Sequence, residues 1–235
     1  DIDKELANLL ADNGSELYKS MNYSLLAGGK RLRPALFLML LEIFGLEARS
    51  YMKVACAIEC IHTYSLIHDD LPAMDNDDYR RGKLTNHKIF GPGMATMAGD
   101  GLLTYAFELI SNQENISLIS ILAKAAGPDG MVGGQALDII SEGHSSSLPE
   151  LRKMDSLKTG CLICAPIDMA ALIAKCDEEM QESLHEFAVH LGLLFQITDD
   201  LLDVHGSLKE MGKLPGQDEK SLKSTYVTIL GEGKA

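Results

Sequence analysis

Two clusters of aspartate, far apart in the sequence, are the residues of this chain best suited to chemistry. They are Asp69, Asp70 and Asp75 in the first cluster, and Asp199, Asp200 and Asp203 in the second. Each lies in or beside an apolar run, where like charges repel and carboxylates lose solvation. Carboxylate oxygens favour hard cations, Mg²⁺ first, which usually keeps waters and bridges to phosphates. The clusters therefore predict a Mg²⁺–diphosphate site built from two helices that face each other.

The spacing of the second cluster indicates one face of a helix. Asp199 and Asp203 are four positions apart, Asp200 lies beside them, and Gln196 is one turn before Asp200. A charged helix terminus is the plainer interpretation. The flanking residues are apolar, however, so we favour a metal site here even without the first cluster.

The first cluster is wider and contains a proline. Because Pro72 should end or distort a helix, Asp69 and Asp70 are expected to close it, and Asp75 to fold back toward the same ion. His62 is two turns upstream of Asp69 on the same face. Two interpretations of His62 remain open: a hydrogen-bonded histidine of the core, or a residue of the site.

Basic residues are conspicuous in a chain whose formal net charge is −13. The segment GGKRLRP, residues 28–34, places cations at the expected start of a helix, where free N–H groups and the helix dipole already favour an anion. Arg80, Arg81 and Lys83 form a second basic group. The first group predicts a cradle for a second diphosphate, bound without metal.

The composition predicts what positions these residues: an all-α fold. The 235 residues are 46% hydrophobic but only 6% aromatic, without Trp, and no linker divides them, so we expect one domain over residues 1–235. The acidic charge argues against a nucleic-acid partner. No apolar run suggests a membrane span, and the odd number of cysteines is typical of reduced thiols in the cytoplasm.

Helical spacing and turn residues predict the elements. A helix is expected to begin at Pro34, and residues 75–93 and 205–223 are expected to be loops. The other predicted helices cover 51–70, 94–111, 116–126, 130–142, a stretch from Leu148 that Gly160 interrupts, and 178–204.

Taken in order, these segments resemble the trans-isoprenyl diphosphate (polyprenyl) synthases, in the bacterial short-chain branch typified by farnesyl diphosphate synthase. The stretches that carry the resemblance are 23–34, 61–91, 98–109, 130–138, 157–160, 195–204, 212–218 and 223–227. The resemblance implies a helical bundle of the isoprenoid-synthase type around a central active-site cavity. It also implies a homodimer, and further helices beyond the end of this chain.

The resemblance assigns roles to individual residues. It implies that the six aspartates hold about three Mg²⁺ ions on an allylic diphosphate, consistent with hard-cation chemistry. The residues implied to be catalytic are Asp69, Asp70, Asp75, Asp199 and Lys158. Those implied to surround the allylic diphosphate are Arg80, Lys158, Thr159, Gln196, Lys213 and Lys223. Those implied to bind isopentenyl diphosphate are Lys30, Arg33, His62 and Arg81.

The implied reaction is condensation of isopentenyl diphosphate with dimethylallyl or geranyl diphosphate to farnesyl diphosphate. Tyr64 and Ser65, just upstream of Asp69, match family positions that limit product length, where a bulky aromatic favours the farnesyl product. Asn76 replaces an aspartate common in bacterial farnesyl synthases and is frequent in geranylgeranyl relatives. Pro92-Gly93 also departs from the family pattern, with no chemistry attached.

Other functions remain open. A geranylgeranyl diphosphate synthase is the alternative within the family. A metal-dependent phosphohydrolase would use His62 with His68 and Asp69 but leaves the second cluster and GGKRLRP unexplained. Terpene cyclases normally lack this second triplet and the isopentenyl-site cations. A non-catalytic partner subunit would be expected to lose one aspartate motif, and both are intact.

Overall fold

The computed structural model describes residues 1–11, 13–113, 115–205 and 223–234. The chain folds as two compact units, Asp1–Ile119 and Ser120–Ala235, and each is described by itself.

Helices dominate the described residues, as the composition predicts. They are α1 (Ile2–Leu9), α2 (Glu16–Leu25), α3 (Leu32–Ile43), a 3₁₀ turn (Ala48–Tyr51), α4 (Met52–Asp69), α5 (Asn86–Phe90), α6 (Pro92–Ser111), α7 (Ile116–Ala126), α8 (Met131–Ser141), α9 (Leu148–Asp155), a π-helical turn (Ser156–Gly160), α10 (Cys161–Ile173), α11 (Glu178–His205) and α12 (Tyr226–Leu230). The strands are β1 (Tyr79–Arg80) and β2 (Lys83–Leu84), which pair antiparallel.

In the first unit, α4 is the core helix. Every residue from Val54 to Ile61 is buried, so this part of the helix contacts protein on all sides. It packs against α6, where small residues allow the two helices to approach closely. Gly99 is one of them: a Cβ there would lie 2.1 Å from Nε2 of His68. This packing fixes the end of α4 that carries the first aspartate cluster.

The loop before α3 depends on left-handed backbone. Gly28 and Gly29 have φ of 87° and 121°, and Arg31, which precedes the first helical residue, has φ of 48°. Helix α3 begins at Leu32, two residues before the predicted start at Pro34. Pro34 is compatible with this start, because a proline is tolerated anywhere in the first turn of a helix.

Residues 75–93 are not a plain loop, so that prediction was wrong. The β1–β2 hairpin turns at Arg81 and Gly82, with φ of 53° and 74°, and α5 follows it. Strands of two residues are too short to give a periodic signal. Pro92 occupies the first turn of α6, which gives that departure from the family pattern a structural role.

In the second unit, the helix that begins at Leu148 continues through Gly160 instead of stopping there. Ser147 and Glu150 form a capping box at its start. The π-helical turn of Ser156–Gly160 replaces the predicted interruption. Gly134 of α8 and Gly192 of α11 pack against this turn: a Cβ at Gly134 would lie 2.1 Å from the Lys158 amide nitrogen, and one at Gly192 would lie 3.2 Å from the α-carbon of Gly160.

One stretch within the described residues, Leu148–Ile173, is long and apolar enough to span a membrane by length and composition alone. The expectation that no run would be long enough was therefore too strict. The stretch is 56% buried within the fold over its most apolar window, which is also typical of the core helix of a water-soluble protein.

Candidate active site

The first aspartate cluster lies where α4 ends. Asp69 is the last residue of the helix and Asp70 its C-cap. After Pro72 the chain reverses, and the Asp75 amide donates a 2.9 Å hydrogen bond to the carbonyl of Asp69. Asn76 adopts φ of 52°, a left-handed conformation that asparagine tolerates well. The expectation that Asp75 folds back toward Asp69 is confirmed for the backbone.

Arg80 of the hairpin pairs with this cluster. Its Nε and Nη2 atoms donate to Oδ1 of Asp70 at 2.9 and 2.5 Å, and Nη2 also donates to Asp77 at 3.1 Å. Burial raises the pKa of Asp70 to about 6 against the opposing charge of Arg80, and the charges of Asp77 and Asp69 add to the rise. The Arg80 guanidinium therefore offsets the burial and the neighbouring carboxylates only in part.

Upstream of this cluster, α4 meets two cations from other segments, Arg33 of α3 and Arg81 of the hairpin turn. Nη1 of Arg33 is 3.4 Å from Nε2 of His62, and Arg81 donates a 2.9 Å hydrogen bond to the buried carboxylate of Glu59. Burial, and then the surrounding arginines, lower the pKa of His62 well below its ordinary value. Burial also lowers the pKa of Arg33 to about 10. The histidine is therefore neutral at pH 7, in a cationic environment suited to an anion.

Three other predicted residues of this unit differ in burial. Lys30 is exposed, Tyr64 is buried, and Ser65 is half-buried, donating a 2.9 Å hydrogen bond to the His62 carbonyl. His68, which the phosphohydrolase hypothesis requires, donates instead to the Thr96 carbonyl of α6 at 3.0 Å. The structure therefore gives His68 a packing role.

In the second unit, the second aspartate cluster lies on α11, as its spacing predicts. Asp200 and Asp203 are buried and Asp199 is half-buried. Asp200 accepts hydrogen bonds from Gln196 at 3.0 Å and from the amide of Tyr226 at 2.8 Å. The cluster is thereby joined to the start of α12.

The π-helical turn presents Lys158 and Thr159. Thr159 donates a 3.1 Å hydrogen bond to the side chain of Gln196. Lys158 and Lys223 both donate to Oδ2 of Asp138, at 2.6 and 3.1 Å. Burial by itself would raise the pKa of Asp138, but the two ammonium groups outweigh it and hold the pKa below its ordinary value. The structure thus brings together four predicted residues of the allylic site; Lys213 lies outside the described residues.

Asp155 is a further buried acid in this unit. Burial and then the charge of Asp200 raise the pKa of Asp155 to about 7, which the nearby Tyr226 and Lys158 offset only in part. Asp155 therefore carries a proton for much of the time near neutral pH.

Sequence reasoning did not single out Glu59, Asp138 and Asp155, three buried acids that contact or lie close to predicted site residues. Glu59 is a single acid within the buried run 54–61. An isolated charge in an apolar segment indicates a buried ion pair, so the sequence could have pointed to it. Asp138 and Asp155 gave no comparable signal, because Asp138 pairs with residues 20 and 85 positions away and Asp155 lies near Asp200 and Tyr226.

The carboxylates fit Mg²⁺ by their chemistry, since they offer oxygen donors at buried or half-buried positions. Within the described ranges, no three Asp, Glu, His or Cys side chains form a compact metal-binding group. Such a donor set suits an ion that keeps waters and completes its shell with phosphate oxygens.

Comparison with known proteins identifies the family. A farnesyl diphosphate synthase from Geobacillus stearothermophilus is 51% identical over 224 residues, which is 92% of this chain and 75% of that protein. A chloroplastic geranylgeranyl pyrophosphate synthase from Catharanthus roseus is 45% identical over 94% of this chain and 64% of that protein.

Structural comparison agrees with the sequence matches. The crystal structure of a geranyltransferase from Helicobacter pylori, complexed with magnesium and isoprenyl diphosphate, matches 97% of this chain and 81% of that one, with a TM-score of 0.87 and 37% identity. The sequence model of the polyprenyl synthetase family matches residues 14–233. The chain therefore belongs to the polyprenyl synthetase family.

Proposed function

We propose that this chain is a trans-prenyltransferase that condenses isopentenyl diphosphate with dimethylallyl or geranyl diphosphate to give (2E,6E)-farnesyl diphosphate. The observation that carries the proposal is the division of charge along α4. Asp69 and Asp70 form its acidic end, and the cationic group around His62 lies two turns upstream, about 10 Å along the helix. The acidic end of α4, and the cations of α3 and the hairpin that meet this helix upstream, thus offer a metal-assisted and a metal-free position for two diphosphates.

The two aspartate motifs act on the allylic diphosphate in this proposal. Their carboxylates would hold Mg²⁺, about three ions as in the family expectation, and the bound metal supplies charge stabilisation for the departing diphosphate. The family pattern assigns Arg80, Lys158 and Lys223 to the same group, where they would add positive charge. No protein nucleophile is required, since loss of the diphosphate generates the electrophile.

The reaction balances without a further reactant. The C–O bond of the allylic substrate breaks and its electron pair leaves with diphosphate. The double bond of isopentenyl diphosphate then forms the new C–C bond, and a proton passes to the released diphosphate. Arg33, Arg81 and Lys30 hold the isopentenyl diphosphate group, while neutral His62 offers a hydrogen bond rather than a charge.

The farnesyl product is favoured over the geranylgeranyl product by Tyr64. Its buried aromatic ring lies on α4 upstream of Asp69, where a hydrocarbon tail directed away from the metals would meet it. The higher identity to a farnesyl synthase than to the geranylgeranyl synthase agrees with this assignment. We further propose a homodimer, on family grounds.

The test is incubation of the purified chain with isopentenyl and dimethylallyl diphosphates and Mg²⁺, followed by product identification by chromatography and mass spectrometry. We expect a C15 diphosphate, loss of product with EDTA, and recovery when Mg²⁺ is restored. A dominant C20 product would replace farnesyl by geranylgeranyl synthesis. No elongation by a folded sample would overturn the assignment.

A further inference from the structure

Glu59 lies at the meeting point of three segments. It is 1% exposed, in the middle of α4, and its Oε1 atom accepts hydrogen bonds from Nη1 of Arg31 at 2.5 Å and from Nη2 of Arg81 at 2.9 Å. Arg31 belongs to the loop before α3, and Arg81 to the turn of the hairpin. A single carboxylate oxygen therefore links both cationic segments to the core helix.

Arg31 is committed to structure. Besides Glu59, it donates from Nη2 to the Leu25 carbonyl at 2.7 Å and from Nε to Asp3 at 2.8 Å. These bonds hold Arg31, which in turn donates to the carboxylate of Glu59. Arg31 is thus an anchor for the carboxylate, although its sequence neighbours suggest a phosphate contact.

Arg81 has a different arrangement. Its Nη2 atom is held by Glu59, while its Nη1 atom is buried without a hydrogen-bond partner among the described residues. Gly29 packs against the same side chain, since a Cβ there would lie 2.9 Å from Nε of Arg81. The guanidinium is therefore fixed on one edge and has donor capacity left on the other, which fits an oxyanion ligand.

We propose that Glu59 is a positioning residue for the isopentenyl diphosphate site, holding Arg81 in the orientation that binds the diphosphate group. This inference rests on the proposed function. The charge of Glu59 by itself would weaken diphosphate binding, because a carboxylate repels a nearby anion. Glu59 strengthens binding instead by orienting the guanidinium of Arg81 toward the diphosphate.

The two roles predict opposite signs, which makes the Glu59→Gln variant informative. If Glu59 acted only as a charge, its removal would lower the KM for isopentenyl diphosphate. As a positioning residue, its loss should raise that KM about tenfold, with kcat and the KM for the allylic substrate changed less than about threefold. The matched control is Asp3→Asn, which removes the charge of another partner of Arg31. Because that side chain is exposed and its pair contributes little, all three constants should stay unchanged.

Binding of inorganic diphosphate in EDTA, measured by calorimetry, separates this inference from the proposed function. Wild type should bind it, and Glu59→Gln about tenfold more weakly, whether or not the chain elongates a prenyl substrate. Glu59→Asp keeps the buried charge but is one methylene shorter, so it should fold and show the same loss if Glu59→Gln does not fold. Unchanged or tighter binding in the folded variants, or no binding by wild type, would overturn the inference.

Discussion

Lys158 donates a 2.6 Å hydrogen bond to Asp138, an aspartate that is 4% exposed and that also accepts from Lys223. The second unit therefore repeats an arrangement of the first, in which Glu59 joins Arg31 and Arg81. In both units a buried carboxylate holds two cations from segments distant in sequence. Neither acid was assigned to a diphosphate site, yet each orients side chains that were.

The Asp138→Asn variant should lower stability and weaken the allylic site together. The variant removes the negative charge of the acid that two partly buried ammonium groups share. We therefore expect a loss of about 1–3 kcal/mol in the free energy of unfolding and a KM for geranyl diphosphate raised about tenfold. Urea denaturation and steady-state kinetics measure these changes. Asp168→Asn, which removes a pair with the exposed His185, is the control and should change neither. Equal effects of the two variants would contradict the prediction.

Gly134→Ala should be among the most damaging single-methyl additions. The new Cβ would lie 2.1 Å from the amide nitrogen and 2.5 Å from the α-carbon of Lys158. These are backbone atoms of a packed π-helical turn, so moving them aside would cost stability. We expect a loss of about 3 kcal/mol in the free energy of unfolding. Gly93→Ala, in an open position near the start of α6, should be neutral or stabilising by up to about 1 kcal/mol. A stable Gly134→Ala protein would show that α8 does not press on the turn.

Asp155 should make stability depend on pH. Its pKa is about 7 in the fold against 3.8 in the unfolded chain, so between these values the folded state binds more protons and the free energy of unfolding falls as pH rises. Asp155→Asn removes this dependence. Its stability gain over wild type should grow from about pH 4 to about pH 7 and then remain constant. Thermal melts without Mg²⁺ at pH 5, 6 and 8 measure it, and a gain that shrinks with pH would refute the sign.

Tyr64→Ala should lengthen the products. The ring is buried on α4, next to His68 at 5.7 Å between ring centroids, and its removal opens space along the helix above Asp69. With isopentenyl and dimethylallyl diphosphates we expect C20 and longer diphosphates in place of most of the C15 product. Ser65→Ala is a matched control, because the Ser65 hydroxyl bonds locally to the His62 carbonyl. If Tyr64 alone limits the length of the product, this variant should give the same products as wild type. A C15 product from Tyr64→Ala would show that Tyr64 does not limit product length.

The sequence predicted α4 and α11 because each is long and periodic, and the placement of the aspartates on them followed from local spacing. It missed the hairpin because two-residue strands show no alternation. It missed the roles of Glu59 and Asp138 for a different reason. Their partners are 20 to 85 residues away along the chain, and no local pattern encodes such pairings. The resemblance implies the substrate contacts, and the structure shows the buried acids that pair with them.

The hairpin turn has a consequence for evolution and for engineering. Arg80 and Arg81 are adjacent in sequence but pair with different acids, Asp70 and Glu59, and the left-handed backbone at Arg81 and Gly82 separates them. A one-residue insertion or deletion in this turn would shift the register of the hairpin and turn at least one of the two guanidinium groups away from its carboxylate. The length of this turn, and not only the identity of its residues, therefore decides which acid each guanidinium group meets.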